Sequence, residues 1–115
     1  MPMTVRTRLN SIDFGEAVLD LVERIPPGRV MTYKAIALHL GQGGPRGVGG
    51  VLLRDGLFVP WWRVVRVDGA IAPHLMIDAQ QHWIIENTPV RRGRVHLELA
   101  HWWPDEPDAV RGMCR

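Results

Sequence analysis

Thirteen of the fourteen basic side chains are arginine, with Lys34 the only lysine. A guanidinium is a planar fork that donates two parallel hydrogen bonds, and it suits phosphate oxygens and base edges better than an ammonium does. With a net charge of +2 and a pI near 9.3, the balance permits a polyanionic partner without requiring one. A base-composition bias in the gene would produce the same arginine excess with no binding role. Covalent chemistry has less to draw on. The one cysteine, Cys114, is the penultimate residue and has no evident base beside it. A lone thiol forms no internal disulfide, and without a base to ionise it the thiol is a poor nucleophile. His82, His96 and His101 lack metal-ligand spacing, and no second cysteine or carboxylate cluster supports them. Neither a metal nor a cofactor is expected.

The pattern of the chain predicts mostly helices to hold these side chains. Phe14, Val18, Leu21, Val22 and Ile25 recur at helical spacing behind an Asp13/Glu16 capping box, and Pro26-Pro27-Gly28 stops that helix. Thr32 is placed to cap a second helix running to Leu40, with Ile36, Ala37 and Leu40 inward and Gly41 at its end. After a flexible turn over 41–44, Pro45 suits the first position of a third helix over 45–54, with Val48, Val51 and Leu52 inward. Two short helices joined by a glycine-rich turn read as helix-turn-helix. Val59-Pro60-Trp61-Trp62 reads as an ordered loop and 63–67 as a strand. Asp68-Gly69 is a hairpin turn signal, with a brief return at Ile71-Ala72. A last helix over 78–87 offers Trp83 and either Ile84 or Ile85 to the core, and Pro89 ends it. The alternation of Val95, Leu97 and Leu99 predicts a short strand or extended tail.

The expected organisation is a loose lead-in over 1–10, one domain over 11–103 and a disordered tail over 104–115. The expected class is mainly α, a small helix-turn-helix (winged-helix-like) domain with a short β-hairpin. At 115 residues there is room for one domain. No 18-residue apolar run exists and the first residues carry no secretory pattern, so a cytoplasmic monomer without membrane contact is expected.

Three strings of this sequence together point to a family. Residues 25–37, Ile-Pro-Pro-Gly-Arg-Val-Met-Thr-Tyr-Lys-Ala-Ile-Ala, resemble the start of the DNA-binding (C-terminal) domain of O6-alkylguanine-DNA alkyltransferases. Residues 45–52, Pro-Arg-Gly-Val-Gly-Gly-Val-Leu, resemble that family's recognition helix, and Pro60-Trp61-Trp62-Arg63-Val64-Val65 falls where the family carries Pro-Cys-His-Arg-Val. The resemblance covers roughly residues 14–90, in order and with few gaps. The short chain and the aromatic pair Trp102-Trp103 look most like the alkyltransferase-like proteins, small relatives with tryptophan in place of the reactive cysteine.

The resemblance implies a binder and not a transferase. The transferases move the alkyl group to a thiolate activated through a histidine held by a glutamate. Here Trp61 stands at the cysteine position, Trp62 at the histidine position and Thr88 where the glutamate falls. Water or an indole is far too weak a nucleophile to take an alkyl group from oxygen.

The same resemblance implies roles for the residues that match. Arg46 corresponds to the finger that fills the gap left by an extruded nucleotide, a flip costing a few kcal/mol of unstacking. Gly47, Gly49 and Gly50 would let bare backbone approach sugar and phosphate in the minor groove, or would simply allow tight helix packing. Tyr33 corresponds to the tyrosine that crowds the phosphate beside the flipped nucleotide. Thr32, besides capping, is a candidate phosphate contact, as is Arg54, which would equally complement the helix dipole. Trp61 is the expected pocket wall, since stacking on an aromatic ring is worth ~1–3 kcal/mol per base. Trp62 is either pocket or core. Arg63 is the family arginine, better suited to structural hydrogen bonds than to ligand contact. Val59 and Pro60 supply apolar loop surface, and His74, Leu75 and Met76 one side of the pocket. Some relatives carry an arginine over the guanine at the position of Asp68, leaving Arg66 as the candidate substitute. Asp68 is otherwise explained by its turn.

The function implied is recognition of duplex DNA by the minor groove. O6-alkylguanine is turned into a pocket against Trp61, left unrepaired, and passed to nucleotide excision repair proteins. The competing readings are a helix-turn-helix binder or regulator without lesion preference, a suicide transferase using Cys114, and a protein-interaction module with a closed pocket.

Overall fold

The structure, a computed structural model, describes residues 11–104. The lead-in over 1–10, the tail from 105 and Cys114 lie outside the described residues. Helix α1 (Ser11–Arg24) begins two residues before Asp13, which therefore lies in its first turn, where a carboxylate complements the dipole, rather than at its cap. Its apolar stripe is buried as the spacing predicts, with Val18, Leu21, Val22 and Ile25 at most 2% exposed. After the Pro26-Pro27-Gly28 turn come β1 (Met31–Thr32) and α2 (Tyr33–Leu40). Thr32 Oγ1 accepts the Ala35 N–H at 3.0 Å, the predicted cap. Helix α3 (Gly44–Asp55) starts with Pro45 in its first turn. The three helices close on Ile36, Val48 and Val51, giving the helix-turn-helix and the mainly helical class read from the sequence.

The strands differ from expectation. The segment predicted as a strand over 63–67 contains only β2 (Val64–Val65), and it pairs parallel with β1, Met31 opposite Val64 and Thr32 opposite Val65. All four residues are buried, so neither strand shows the alternation that marks a half-buried hairpin. The Asp68-Gly69 turn does form, with Arg66 N–H donating to the Ala70 carbonyl at 2.9 Å, but it leads into no ladder with Ile71-Ala72. The antiparallel hairpin lies further on, between β3 (Val90–Arg91) and β4 (Arg94–Val95).

Helix α4 (Met76–Glu86), entered through a 3-10 turn at Pro73–Leu75, starts two residues before Asp78. Trp83 is fully buried, whereas Ile84 and Ile85, one of which was expected inside, are 74% and 77% exposed. Ala79 and Trp83 are four residues apart and define the inward face, and the next two positions rotate away from it. The expected extended segment over 95–99 bends instead into α5 (Leu97–Ala100), so that Ala100 is buried and Leu99 is exposed.

Candidate nucleic-acid interface

Helix α3 lies across α2 with Arg46 exposed near its start and Arg54 exposed in its last turn. Between them, Gly47, Gly49 and Gly50 have room for a side chain. A Cβ at Gly47 would lie 3.4 Å from the Phe14 ring, one at Gly49 4.0 Å from the Tyr33 ring, and one at Gly50 3.5 Å from the Arg54 guanidinium. These are ordinary contacts, and glycine inside a helix costs roughly 0.5–1 kcal/mol relative to alanine. Packing within the protein therefore does not require glycine at these positions. Gly47 turns toward Phe14, while Gly49 borders a cavity.

That cavity, of about 400 Å³, opens between α3, the start of α2 and the loops after β2. Tyr33, Gly49, Leu53, Leu57, Trp61 and Leu75 are among its walls. It is mainly apolar, with the Tyr33 hydroxyl and the His74 ring as polar groups. Tyr33 opens α2 and is half-buried. Burial raises its pKa, the nearby Arg66 charge opposing this only in part, so the phenol stays protonated and able to donate. Trp61 lines the cavity without filling it. Its ring packs edge-on against Trp62 at 5.6 Å and against His82 at 5.9 Å.

The other expected pocket residues lie elsewhere. Trp62 turns away, stacking flat on His82 (3.6 Å between centroids, 6° between planes) and donating Nε1–H to Glu86 Oε2 at 3.0 Å. Its carbonyl accepts Trp83 Nε1–H at 2.7 Å. Arg63 forms a fork on Glu86 and donates to the Ile25 carbonyl at 2.9 Å, the structural role favoured from the sequence. Val59 and Pro60 line a separate depression with Trp62 and Arg63. Arg66 is exposed beside Tyr33, outside the cavity lining. His74 and Leu75 line the cavity as expected, but Met76 does not, its sulfur facing the Ile71 N–H at 3.3 Å. Thr32 is 7% exposed, its hydroxyl holding the cap and its N–H donating to His101 Nε2 at 3.2 Å, so both polar groups are engaged internally.

Glu86 was not singled out from the sequence. Besides Trp62 and Arg63 it accepts the Gly28 N–H at 3.2 Å, joining the turn after α1, the Trp61–Arg63 turn and α4. Burial raises its pKa, but the hydrogen bonds from Arg63, Trp62 and Gly28 and the Arg63 charge outweigh that and lower it. Thr88, aligned with the family glutamate, is buried and donates its N–H to the Trp83 carbonyl, while the carboxylate that holds the Trp62 ring comes from two residues earlier. The signal was faint, since a glutamate at a helix end reads as surface.

Among the described residues no thiol is present and no group of His, Cys, Asp and Glu is arranged to hold a metal. The site is a pocket beside an arginine-flanked, glycine-faced helix.

The chain is similar to several known proteins. A methylated-DNA–protein-cysteine methyltransferase of Methanothermobacter thermautotrophicus is 41% identical over 69 residues, covering 53% of this chain and 39% of that protein. The chain thus spans about two fifths of that relative's length. The structure of S. pombe Atl1 in complex with damaged DNA containing O6-carboxymethylguanine superposes with a TM-score of 0.73 at 25% identity, covering 84% of this chain and all of that one. S. pombe ATL in complex with DNA gives 0.70 at 26% identity, with 84% of this chain and 100% of that one covered. The sequence model of the 6-O-methylguanine DNA methyltransferase DNA-binding domain matches residues 13–88, and the chain belongs to that family.

Proposed function

We propose that this chain binds duplex DNA through the minor groove, turns O6-alkylguanine into the cavity walled by Trp61, and leaves the alkyl group in place. The observation that carries the reading is the open apolar cavity with Trp61 in its wall, next to a helix whose glycines the protein's own packing does not need. Arg46 enters the stack where the base leaves, and Tyr33 crowds the adjoining phosphate. Gly49 and Gly50 let the backbone of α3 reach the sugar-phosphate rail. With Trp61 and Trp62 at the reactive positions the cavity lining holds no thiol to take the alkyl group, so the complex marks the lesion for nucleotide excision repair proteins to remove. The likeness to S. pombe Atl1 bound to damaged DNA supports DNA-damage recognition.

The test is binding to a labelled duplex with one O6-methylguanine against the same duplex with guanine, at near-physiological salt. A preference of tenfold or more, ~1.4 kcal/mol, reduced by both Arg46→Ala and Trp61→Ala, is expected. Mass spectrometry of the protein after incubation should show no added alkyl group, on Cys114 or elsewhere. Equal affinity for both duplexes would leave a general helix-turn-helix binder.

The glycines supply an independent check. Gly49→Ala and Gly50→Ala should each stabilise the free protein by about 0.5–1 kcal/mol, because helix propensity improves with no clash. Both should weaken DNA binding tenfold or more. Unchanged binding in the stabilised variants would remove the close-approach argument.

A further inference from the structure

The β3–β4 hairpin breaks two local rules at once. Its turn residues Arg92 and Gly93 both have positive φ, +55° and +80°, the geometry of a type I′ turn, where asparagine, aspartate or glycine normally occupies the first position. An arginine there is strained by its own Cβ. Directly across the ladder, Arg91 pairs with Arg94, placing like charges opposite one another. All three arginines are exposed and border a cleft of about 640 Å³, in which Arg94 meets Asp68 at 3.4 Å. The other carboxylate of the cleft, Glu98, is 90% exposed and 3.8 Å from His96. Local rules are broken chiefly at functional or strained sites, and here both breaches concentrate positive charge on one ribbon, where Asp68 counters Arg94 alone.

The hairpin is also fixed relative to the cavity. The Val95 N–H donates to the Gly69 carbonyl at 2.9 Å, and Gln80 Nε2 donates to the Gly93 carbonyl at 3.0 Å. The loop that Gly69 belongs to starts at Arg66, beside Tyr33, and runs directly into Ile71 and Ala72, which line the cavity. Arg66 at the start of that loop is thus linked to the hairpin arginines through the Asp68-Gly69 turn, where Asp68 pairs with Arg94.

We infer that the Arg91–Arg94 hairpin is a second phosphate-contacting surface, gripping the DNA backbone beyond the segment held by α3. The inference rests on the reading of the chain as a duplex binder. Anions relieve the repulsion between Arg91 and Arg94, so the hairpin is better satisfied in the complex than in the free protein. Contacts of this kind position the protein and carry no sequence or lesion information.

The experiment is a salt titration of binding by the full chain to a labelled duplex of about 21 bp, two helical turns, comparing wild type, Arg46→Ala and the double variant Arg91→Thr/Arg92→Gly. Because the double variant removes the strained and repelling residues, its Tm should rise by roughly 2–6 °C. Its affinity at about 0.1 M salt should fall tenfold or more, and its log K against log salt slope should flatten by about 2. The ratio of affinities for O6-methylguanine and guanine duplexes should stay as in wild type. A double variant that keeps the wild-type slope and affinity, while Arg46→Ala loses binding, overturns the hairpin proposal alone. A wild-type chain that binds no duplex overturns the proposed function and this inference with it.

Discussion

Gly69→Ala is expected to lower stability by about 3–5 kcal/mol, the largest loss from any single added methyl in the described residues. The glycine has φ +82°, and a Cβ on it would lie within van der Waals overlap of the Val95 carbonyl oxygen and 3.1 Å from the Val95 nitrogen. Both obstructing atoms are backbone, so no rotamer change relieves them. The chain has to separate the turn from β4, which also breaks the Val95-to-Gly69 hydrogen bond. For a domain of this size the loss corresponds to a fall in Tm of about 15 °C or more. Thermal unfolding by circular dichroism checks it, and a Tm within about 3 °C of wild type would mean that the turn yields without strain. Gly49→Ala, with 4.0 Å of clearance at its nearest neighbour, is the matched control that should move Tm the other way.

Removing the charge of Glu86 has the second large effect. Glu86→Gln leaves Arg63 partly buried without a counter-charge and weakens the anchor of the Trp62 ring, at a cost of about 2–3 kcal/mol at neutral pH. Because the folded state holds the Glu86 carboxyl below its ordinary value of about 4.3, its contribution is fully present above that pH. It is lost as pH falls through the depressed folded value. The stability gap between wild type and Glu86→Gln should therefore be widest near neutrality, begin to narrow below about pH 4.3 and close in stronger acid. Urea unfolding of both proteins from pH 7 to pH 2.5 reads this directly. A gap independent of pH would assign the effect to shape and not to charge. Glu86→Gln should also reduce affinity for alkylated duplex more than for undamaged duplex, since Trp61 packs on the rings that Glu86 fixes.

Much of the helical frame was legible in the sequence because its signals are local. Thr32 caps within three residues of itself, Pro45 marks a first turn, and the α1 stripe repeats often enough to define a face. The strands were not legible for the opposite reason. Met31-Thr32 and Val64-Val65 are two residues each, too short to show a period, and their partnership is parallel and distant. The true hairpin was hidden because Arg92 occupies the position where asparagine or aspartate would signal a turn. In the candidate site, the cavity residues Tyr33 and Trp61 were legible through the motif strings. That Trp62 and Arg63 face the other way was not, since the direction is set by Glu86, a partner 23–24 residues later in the chain. The alternation of Val95, Leu97 and Leu99 misled because a four-residue helix can bury Ala100 and leave every second leucine outside.

The way the chain closes on itself bears on when it becomes competent. Val30 sits at the centre of a three-ribbon junction, bridged to His101 while the next two residues pair with Val64 and Val65. Arg29 donates to the carbonyls of Ala100 and His101, and Trp102 is buried in the same core as α1, α2 and α3. These contacts join residues 69–72 positions apart, so the entropy of closing a long loop must be met before they form. Local helix contacts carry no such cost, so the segment around residue 100 supplies the most non-local part of the fold. On the ribosome, α2 and α3 emerge well before that segment does. Thr32, which caps α2, thus donates its N–H to a residue, His101, that the ribosome adds only after α2, α3 and α4 have all been made.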